Sequence, residues 1–114
     1  MGEVAALFAD AGMLVITAFI SPYRDDRARA RKAAGAAFHE VFIDAGLEEC
    51  ERRDPKGLYA HARAGEIANF TGISAPYEPP DRCDLKVQTA TQTIEESVAA
   101  LILYVQEKFP LKTR

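Results

Sequence analysis

The uninterrupted apolar segment MLVITAF, residues 13–19, constrains the fold of this chain more than any other feature. A strand with one solvent-exposed face would alternate apolar and polar residues, whereas the one polar residue of this segment is a threonine. Such a run is typical of a strand covered on both faces, as in a parallel sheet with crossover helices. It is far shorter than the roughly 20 residues of a membrane-spanning helix, so we expect a soluble protein with no membrane partner.

The rest of the chain alternates between helical and strand patterns. We predict further strands over residues 39–44 and 84–89, and helices over residues 4–11, 24–37, 47–54, 57–67 and 93–109. This order predicts a single α/β domain over residues 1–114, with a three-stranded parallel sheet and flanking helices. Ligands of such sheets gather at the carboxyl ends of the strands.

The charge and cysteine content narrow the functional classes. A net charge of −3 gives no overall attraction for nucleic acid, so we expect no nucleic-acid partner, and local groups must hold any anionic ligand. Cys50 and Cys83 lie far apart and lack the paired spacing of a zinc site. With no signal-peptide pattern, the sequence predicts two reduced thiols in a cytoplasmic protein.

Ser21 follows the first predicted strand and precedes Pro22. It either marks a plain boundary between strand and turn, since Ser-Pro favours turns, or presents a hydroxyl at the ligand-binding edge of the sheet. The next helix carries five basic residues between positions 24 and 32, which face either phosphates or water.

A basic turn and a long loop offer further candidates. Arg52, Arg53 and Lys56 concentrate positive charge around a proline, where the backbone changes direction. Guanidinium and ammonium groups suit phosphate, but a solvated surface has the same composition. Irregular loops as long as residues 69–83 are often lids or binding loops. Within this loop, Phe70 either anchors the backbone to the core or offers a flat face to a base.

Familiar signatures are missing from the sequence. It contains no G-x-x-x-x-G-K-[ST] phosphate loop, no G-x-G-x-x-G turn and no cluster typical of a metal site, so we expect no metal ligands. His39 and His61 have no acid or nucleophile pattern around them and are interpreted as structural. Motif patterns alone therefore indicate an α/β domain without an assignable activity.

Three blocks of the sequence resemble one family, the adenylylsulfate kinases. FISPYRDDRARAR, DPKGLYAHARAGEI and NFTGISAPYEPP occur in the family's order, and the likeness runs from about residue 2 to residue 109. The family uses ATP to phosphorylate adenosine 5′-phosphosulfate (APS) on its 3′-hydroxyl. The resemblance therefore implies a kinase of sulfate assimilation that binds APS, and ATP together with Mg²⁺.

The resemblance also implies roles for residues in the APS site. Ser21 matches the serine recorded as a phosphoserine intermediate, which makes it the catalytic candidate, and with Ile20 it would line the APS site. Lys56 matches the lysine of the D-P-K-G-L-Y block, which reaches the APS anion from a mobile lid. Asn69 and Phe70 match the N-F-T-G-I positions, where the aromatic ring resembles a stacking platform for adenine.

Other positions are implied to contact ATP or depart from the family pattern. By resemblance, Arg53 and Gln92 bind the ATP nucleotide, and the lid covers about residues 52–80. Ala60 and His61 stand where the family has two lysines, so the lid carries less positive charge and we expect weaker anion capture. A Thr-Pro-like turn of the family is replaced by Ala-Gly at residues 45–46.

The sequence resembles the carboxyl-terminal portion of the family. Family members begin with a strand and a Walker A loop, then an aspartate and arginine segment that grips APS, and none of these matches the 114 residues. The first two family strands are therefore expected to be missing from a partial P-loop-kinase-type sheet. In the family's strand order 2-3-1-4-5, the first strand lies between those matching residues 13–19 and 39–44. We expect either a three-stranded remnant with a cleft, or a homo-oligomer or complementing chain that supplies the strand.

Two functional interpretations follow from the resemblance. The chain is either an adenylylsulfate kinase that yields 3′-phosphoadenylyl sulfate and ADP, or a non-catalytic fragment or split-gene product that at most binds APS or a partner chain. The second is favoured for these residues alone, because phosphoryl transfer depends on backbone amides and a lysine around the β and γ phosphates.

Overall fold

The computed structural model describes residues 1–110 as an open arrangement of helices around a small sheet. In chain order the elements are α1 (Gly2–Asp10), α2 (Arg24–Ala34), a 3₁₀ turn (Gly35–Ala37), β1 (Val41–Asp44), α3 (Leu47–Arg53), α4 (Leu58–Arg63), β2 (Leu85–Gln88) and α5 (Ile94–Lys108). The first two helices pack against each other. Gly2 permits this contact, because a Cβ there would lie 2.9 Å from the Cα of Ala30.

The sheet of the described chain consists of two parallel strands. Val41 pairs with Leu85 and Asp44 pairs with Gln88, so β1 and β2 end at the same edge. The pairing continues past the ladder, since the Thr89 N–H donates to the Asp44 carbonyl at 2.9 Å. The predicted α/β class, with a parallel sheet and flanking helices, is confirmed.

The strand predicted over residues 13–19 is not formed, and the expected count of three strands is wrong. The segment is largely exposed, with Ile16 81% and Ile20 70% accessible to solvent. Within the described chain, the backbone groups of residues 14–20 have no hydrogen-bond partner. A strand exists only through bonds to a neighbouring strand, and neither β1 nor β2 pairs with this segment.

Two short helices follow β1. The helix predicted over residues 47–54 is α3, which ends at Arg53. It stops before Asp54 because Pro55 disfavours helical geometry in the residue that precedes it. The helix predicted over residues 57–67 is shorter than expected, since α4 ends at Arg63 and Gly65 takes a left-handed φ of 79°.

The last helix, α5, begins at a capping box formed by Thr93 and Glu96. The Glu96 N–H donates to Thr93 Oγ1 at 3.1 Å, and the Thr93 N–H donates to the Glu96 carboxylate at 2.8 Å. Near the other end of α5, the Tyr104 hydroxyl bonds to His39 at 2.6 Å, and the Phe109 ring packs on the same imidazole. His39 thus joins α5 to the start of β1, in agreement with its predicted structural role.

Little of the apolar surface is buried. Among the described residues, the buried apolar side chains are Ala62 and Val87, which are 6% and 1% exposed. The radius of gyration is 16.2 Å, whereas a compact domain of this length has about 13 Å. The accessible surface is 8854 Å², against about 6,200 Å² expected for a compact protein of this mass. Of the described helices, none has both the length and the apolar character needed to cross a membrane.

Candidate functional site

Ser21 lies where the extended segment turns into α2. Its φ of 44° places a non-glycine residue in the left-handed region. Such a conformation costs about 1–3 kcal/mol and persists only when the surroundings hold it. Arg27 Nη1 donates to the Ser21 carbonyl at 2.6 Å, which fixes the peptide that leads into Pro22. Ser21 is half-buried, whereas Ile20 is exposed.

The loop of residues 69–80, which is the last part of the predicted lid, connects α4 with the backbone beside this serine. Toward its end, the Glu78 N–H donates to the Pro22 carbonyl at 2.8 Å. At its start, the ring of Phe70 contacts Tyr59 of α4 edge to face, with centroids 4.9 Å apart. The loop therefore runs from α4 to the backbone next to Ser21.

The middle of the same loop packs on β1 and on the helix that follows it. Gly72 has a φ of 87°, and a Cβ at this position would lie 3.2 Å from Leu47 Cδ1. The Tyr77 ring stacks with Phe42 of β1, with centroids 6.2 Å apart, and burial raises the pKa of the Tyr77 hydroxyl. The loop thus lies against β1 and the first turn of α3.

Asp54 organises the turn that carries Lys56. Its two carboxylate oxygens accept the N–H groups of Tyr59 and Ala60, each at 3.1 Å. These bonds satisfy two free N–H groups in the first turn of α4, whose N-cap residue is Gly57. They also fix the backbone of Tyr59, whose ring contacts Phe70. The structure therefore connects Phe70 with the exposed Lys56 through α4.

Asn69 precedes Phe70 at the entrance to the loop. Its φ of 55° is left-handed, which asparagine tolerates better than most residues. The Phe70 N–H donates to Ser74 Oγ at 2.9 Å, so the loop doubles back directly after the aromatic ring. This turn sets the direction in which Phe70 leaves the backbone.

Arg53 and Gln92 form a second group, at the carboxyl end of β2. The Arg53 guanidinium donates to the Thr89 carbonyl and to its hydroxyl. The Gln92 side-chain carbonyl accepts the Gln88 N–H at 3.0 Å. Both predicted nucleotide contacts therefore lie at the edge where parallel sheets bind ligands.

Glu49 sets the charge around Arg53. One of its carboxylate oxygens accepts from Arg52 and from Arg53, each at 2.6 Å. The hydrogen bond from Arg52, together with that from Arg53, lowers the pKa of Glu49 to about 2. At neutral pH both guanidinium groups are therefore engaged with a carboxylate.

The residues do not fit a metal site by themselves. The part of the chain that the structure describes contains no group of three His, Cys, Asp or Glu side chains that could hold a metal ion. Mg²⁺ in nucleotide sites is held by one or two carboxylates together with phosphates, so its position depends on the residues that bind the phosphates. The 114 residues contain no phosphate loop.

Comparison with known proteins decides the family. Residues 1–88 match the family model of adenylylsulphate kinase. This chain belongs to the adenylyl-sulfate kinase family. Adenylyl-sulfate kinases of Marinobacter nauticus and Clostridium acetobutylicum are 54% and 52% identical to it, over 99% and 94% of this chain. The chain spans 57% and 54% of the lengths of these two relatives.

A solved adenylyl-sulfate kinase shares the fold. The APS kinase of Mycobacterium tuberculosis, in complex with AMPPNP and APS, matches with a TM-score of 0.85 and 48% identity. The match covers 92% of this chain and 62% of that chain. The family resemblance and the P-loop-kinase type of fold are therefore confirmed.

Several residues that shape the site were not singled out by their sequence pattern. Arg27 belongs to the helix expected to face phosphates or water, yet its side chain is 11% exposed and contacts Glu40 and two backbone carbonyls. No local signal distinguishes it from its basic neighbours. Asp54 does carry a signal, because an aspartate ahead of a Pro-Lys-Gly turn commonly accepts nearby backbone N–H groups.

Proposed function

We propose that these 114 residues form the acceptor side of an adenylyl-sulfate kinase and bind APS. The observation that carries the proposal is the loop of residues 69–80. Near its start Phe70 contacts Tyr59 of α4, and near its end Glu78 bonds to the Pro22 carbonyl. The loop brings the lid and the Ser21 edge into one connected surface. The structural likeness to a kinase that was solved with APS supports the same ligand.

The residues have separate roles in this proposal. Phe70 stacks on the adenine. The edge-to-face contact with Tyr59 supports the Phe70 ring on one side. Asn69 sets the direction of the ring through its left-handed turn. Ile20 and Ser21 line the opposite side, where the Ser21 hydroxyl is the candidate catalytic group. Lys56 supplies a cation from the lid, which extends over about residues 52–80.

Arg53 and Gln92 contact the nucleotide of ATP in the proposed full reaction. There, the 3′-hydroxyl of APS attacks the γ-phosphorus of ATP, the bond to the β-phosphate oxygen breaks, and ADP leaves as 3′-phosphoadenylyl sulfate forms and the hydroxyl proton is released to solvent. Most of the stabilisation of such a transfer comes from groups around the phosphates and from Mg²⁺. Because these residues include no phosphate loop, we expect the 114 residues alone to bind the acceptor but to transfer phosphate very slowly.

A second candidate role, assembly with a complementing polypeptide, is favoured by the exposed apolar segment. The amides of residues 14–20 lack partners among the described residues, and β1 pairs on one side with β2. Unpaired strand edges accept a further strand. An added apolar strand between residues 13–19 and β1 would satisfy both edges. Either a second copy of this chain or a separate polypeptide would supply this strand.

A cytoplasmic location stays a prediction from the sequence.

Isothermal calorimetry with APS tests the proposed acceptor site. The 114-residue chain should bind APS, and Phe70→Ala should weaken binding about five- to 150-fold, because stacking on an aromatic ring contributes about 1–3 kcal/mol per base. Phe8→Ala on α1 removes a half-exposed ring that the proposal does not use, and it should leave the affinity unchanged. Failure of the chain to bind APS, or equal affinity for the Phe70→Ala variant, would contradict the proposal.

A further inference from the structure

Arg27 is unusual among the basic residues of α2 because its guanidinium is almost fully enclosed. Its side chain is 11% exposed, and that of its ion-pair partner Glu40 is 15% exposed, with Arg27 Nε 2.8 Å from Glu40 Oε1. By contrast, the side chain of Arg29 on the same helix is 80% exposed. A guanidinium buried in this way has a structural task that a solvated arginine does not have.

The two remaining nitrogens of Arg27 bind two separate segments of backbone. Nη1 donates to the Ser21 carbonyl and Nη2 donates to the Glu78 carbonyl, each at 2.6 Å. The Tyr77 ring lies 5.9 Å from the guanidinium carbon, beside the second of these bonds. One planar fork therefore joins the residue before Pro22 to the end of the loop of residues 69–80.

Glu78 is held at three points, which makes this junction rigid. Its N–H donates to the Pro22 carbonyl, its own carbonyl accepts from Arg27, and its carboxylate accepts the Arg24 N–H. The last bond satisfies a free amide in the first turn of α2. The bond from Arg27 to Glu78 and the bond from Arg27 to Ser21 together connect the left-handed Ser21 with the loop through a single side chain.

We propose that Arg27 is a positioning residue for the acceptor site. It holds the Ser21 carbonyl in the orientation that its left-handed φ requires, and it fixes the spacing between Ser21 and the loop that begins at Phe70. This inference rests on the proposed function, since it assigns the two fixed segments to opposite sides of the APS site. A lysine cannot replace the fork, because one ammonium group cannot reproduce two parallel N–H bonds in a plane.

Three variants separate the fork from its charge and from general stability. Arg27→Lys keeps the charge beside Glu40 but loses the planar fork. Glu40→Gln weakens the ion pair and leaves both carbonyl bonds of Arg27 in place. Arg29→Met removes an exposed arginine of the same helix and serves as the control. Each variant is measured well below its melting temperature, so that the folded fraction stays close to one.

The readouts are APS affinity by calorimetry and the backbone chemical shifts of Ser21 by NMR. In Arg27→Lys we expect at least about tenfold weaker APS binding, because small misplacements of site groups are costly. We also expect Ser21 shifts that leave the left-handed range and faster amide exchange at Glu78. In Glu40→Gln and Arg29→Met, affinity and Ser21 shifts should stay close to those of the wild type.

Each outcome decides between the alternatives. Unchanged Ser21 shifts or unchanged APS affinity in Arg27→Lys would overturn the proposal. The same holds if the variant has a lower melting temperature and differs from the wild type in nothing else. If the unmodified chain does not bind APS, the proposed function fails. The positioning of Ser21 is then judged by the Ser21 shifts and the Glu78 exchange, which need no ligand and support or refute it by themselves.

Discussion

At the scale of single residues, the candidate site contains side chains that fix the backbone and side chains that are proposed to touch a ligand. Asp54, Arg27 and Glu78 bind backbone groups, whereas Phe70 and Lys56 present a ring and a cation. The first kind determines where the second kind lies. Substitutions should therefore divide into those that loosen a segment and those that weaken binding directly.

Lys56 provides a prediction of the second kind. Lys56→Gln should weaken APS binding about three- to tenfold and flatten its dependence on salt, because one exposed cation that attracts an anion is lost. Calorimetry at two salt concentrations measures both effects. Lys32→Gln, an exposed lysine of α2, is the matched control and should leave affinity and salt dependence unchanged. Equal behaviour of the two variants would show that Lys56 does not reach the anion.

The lowered pKa of Glu49 gives a prediction about pH. Since its pKa falls from 4.5 to about 2 in the folded chain, its contribution to stability is present above pH 4.5 and is lost as pH falls toward 2. The free energies of unfolding of the wild type and of Glu49→Gln should therefore differ above pH 4.5 and converge below it. A carboxylate NMR titration of Glu49 with a midpoint near 4.5 would contradict this account.

At the scale of elements, local signals predicted the helices well and non-local pairing decided the strands. The capping box of Thr93 and Glu96 and the position of Pro55 set helix boundaries that the structure reproduces. Residues 13–19 have the composition of a buried strand, yet a strand depends on hydrogen bonds to a neighbour that a sequence pattern does not identify. The same limit explains Arg27, because its partners Glu40 and Glu78 are distant in sequence.

The cap of α4 yields a prediction at this scale. Asp54→Ala removes the acceptor of the Tyr59 and Ala60 amides and should destabilise the helix by about 1 kcal/mol. Exchange of these two amides should become about fivefold faster. APS binding should also weaken, because Tyr59 supports Phe70. Unchanged exchange at both amides would mean that the carboxylate does not cap α4.

At the scale of the whole molecule, the chain leaves a large apolar surface exposed. The high radius of gyration and the exposed segment of residues 13–20 are the features of a fold that gains stability from further contacts. The family could be predicted from three sequence blocks, which lie around α2, in the lid and in the loop of residues 69–80. The α/β class could be predicted from the alternation of helix and strand patterns. The family's strand order also predicted a cleft beside residues 13–19, whereas the loss of the strand itself was not predicted, because a strand depends on the neighbours with which it pairs.

Assembly with a complementing polypeptide provides a test of this surface. We expect co-elution when the chain is co-expressed with the part of the Marinobacter nauticus kinase that it does not match, because an added strand would pair with residues 13–19 and with β1. Kinase activity should rise in the co-eluting complex. A charged substitution in the segment, Ile16→Asp, should prevent co-elution, whereas Glu3→Gln on α1 should not.

The most direct test of the central claim is the rate of ADP release by the 114-residue chain with ATP, Mg²⁺ and APS. The account predicts that APS binds while turnover stays about a thousandfold or more below a typical enzyme rate of about 10 per second. Turnover near that typical rate, or tight magnesium-dependent binding of ATP by these residues alone, would contradict it.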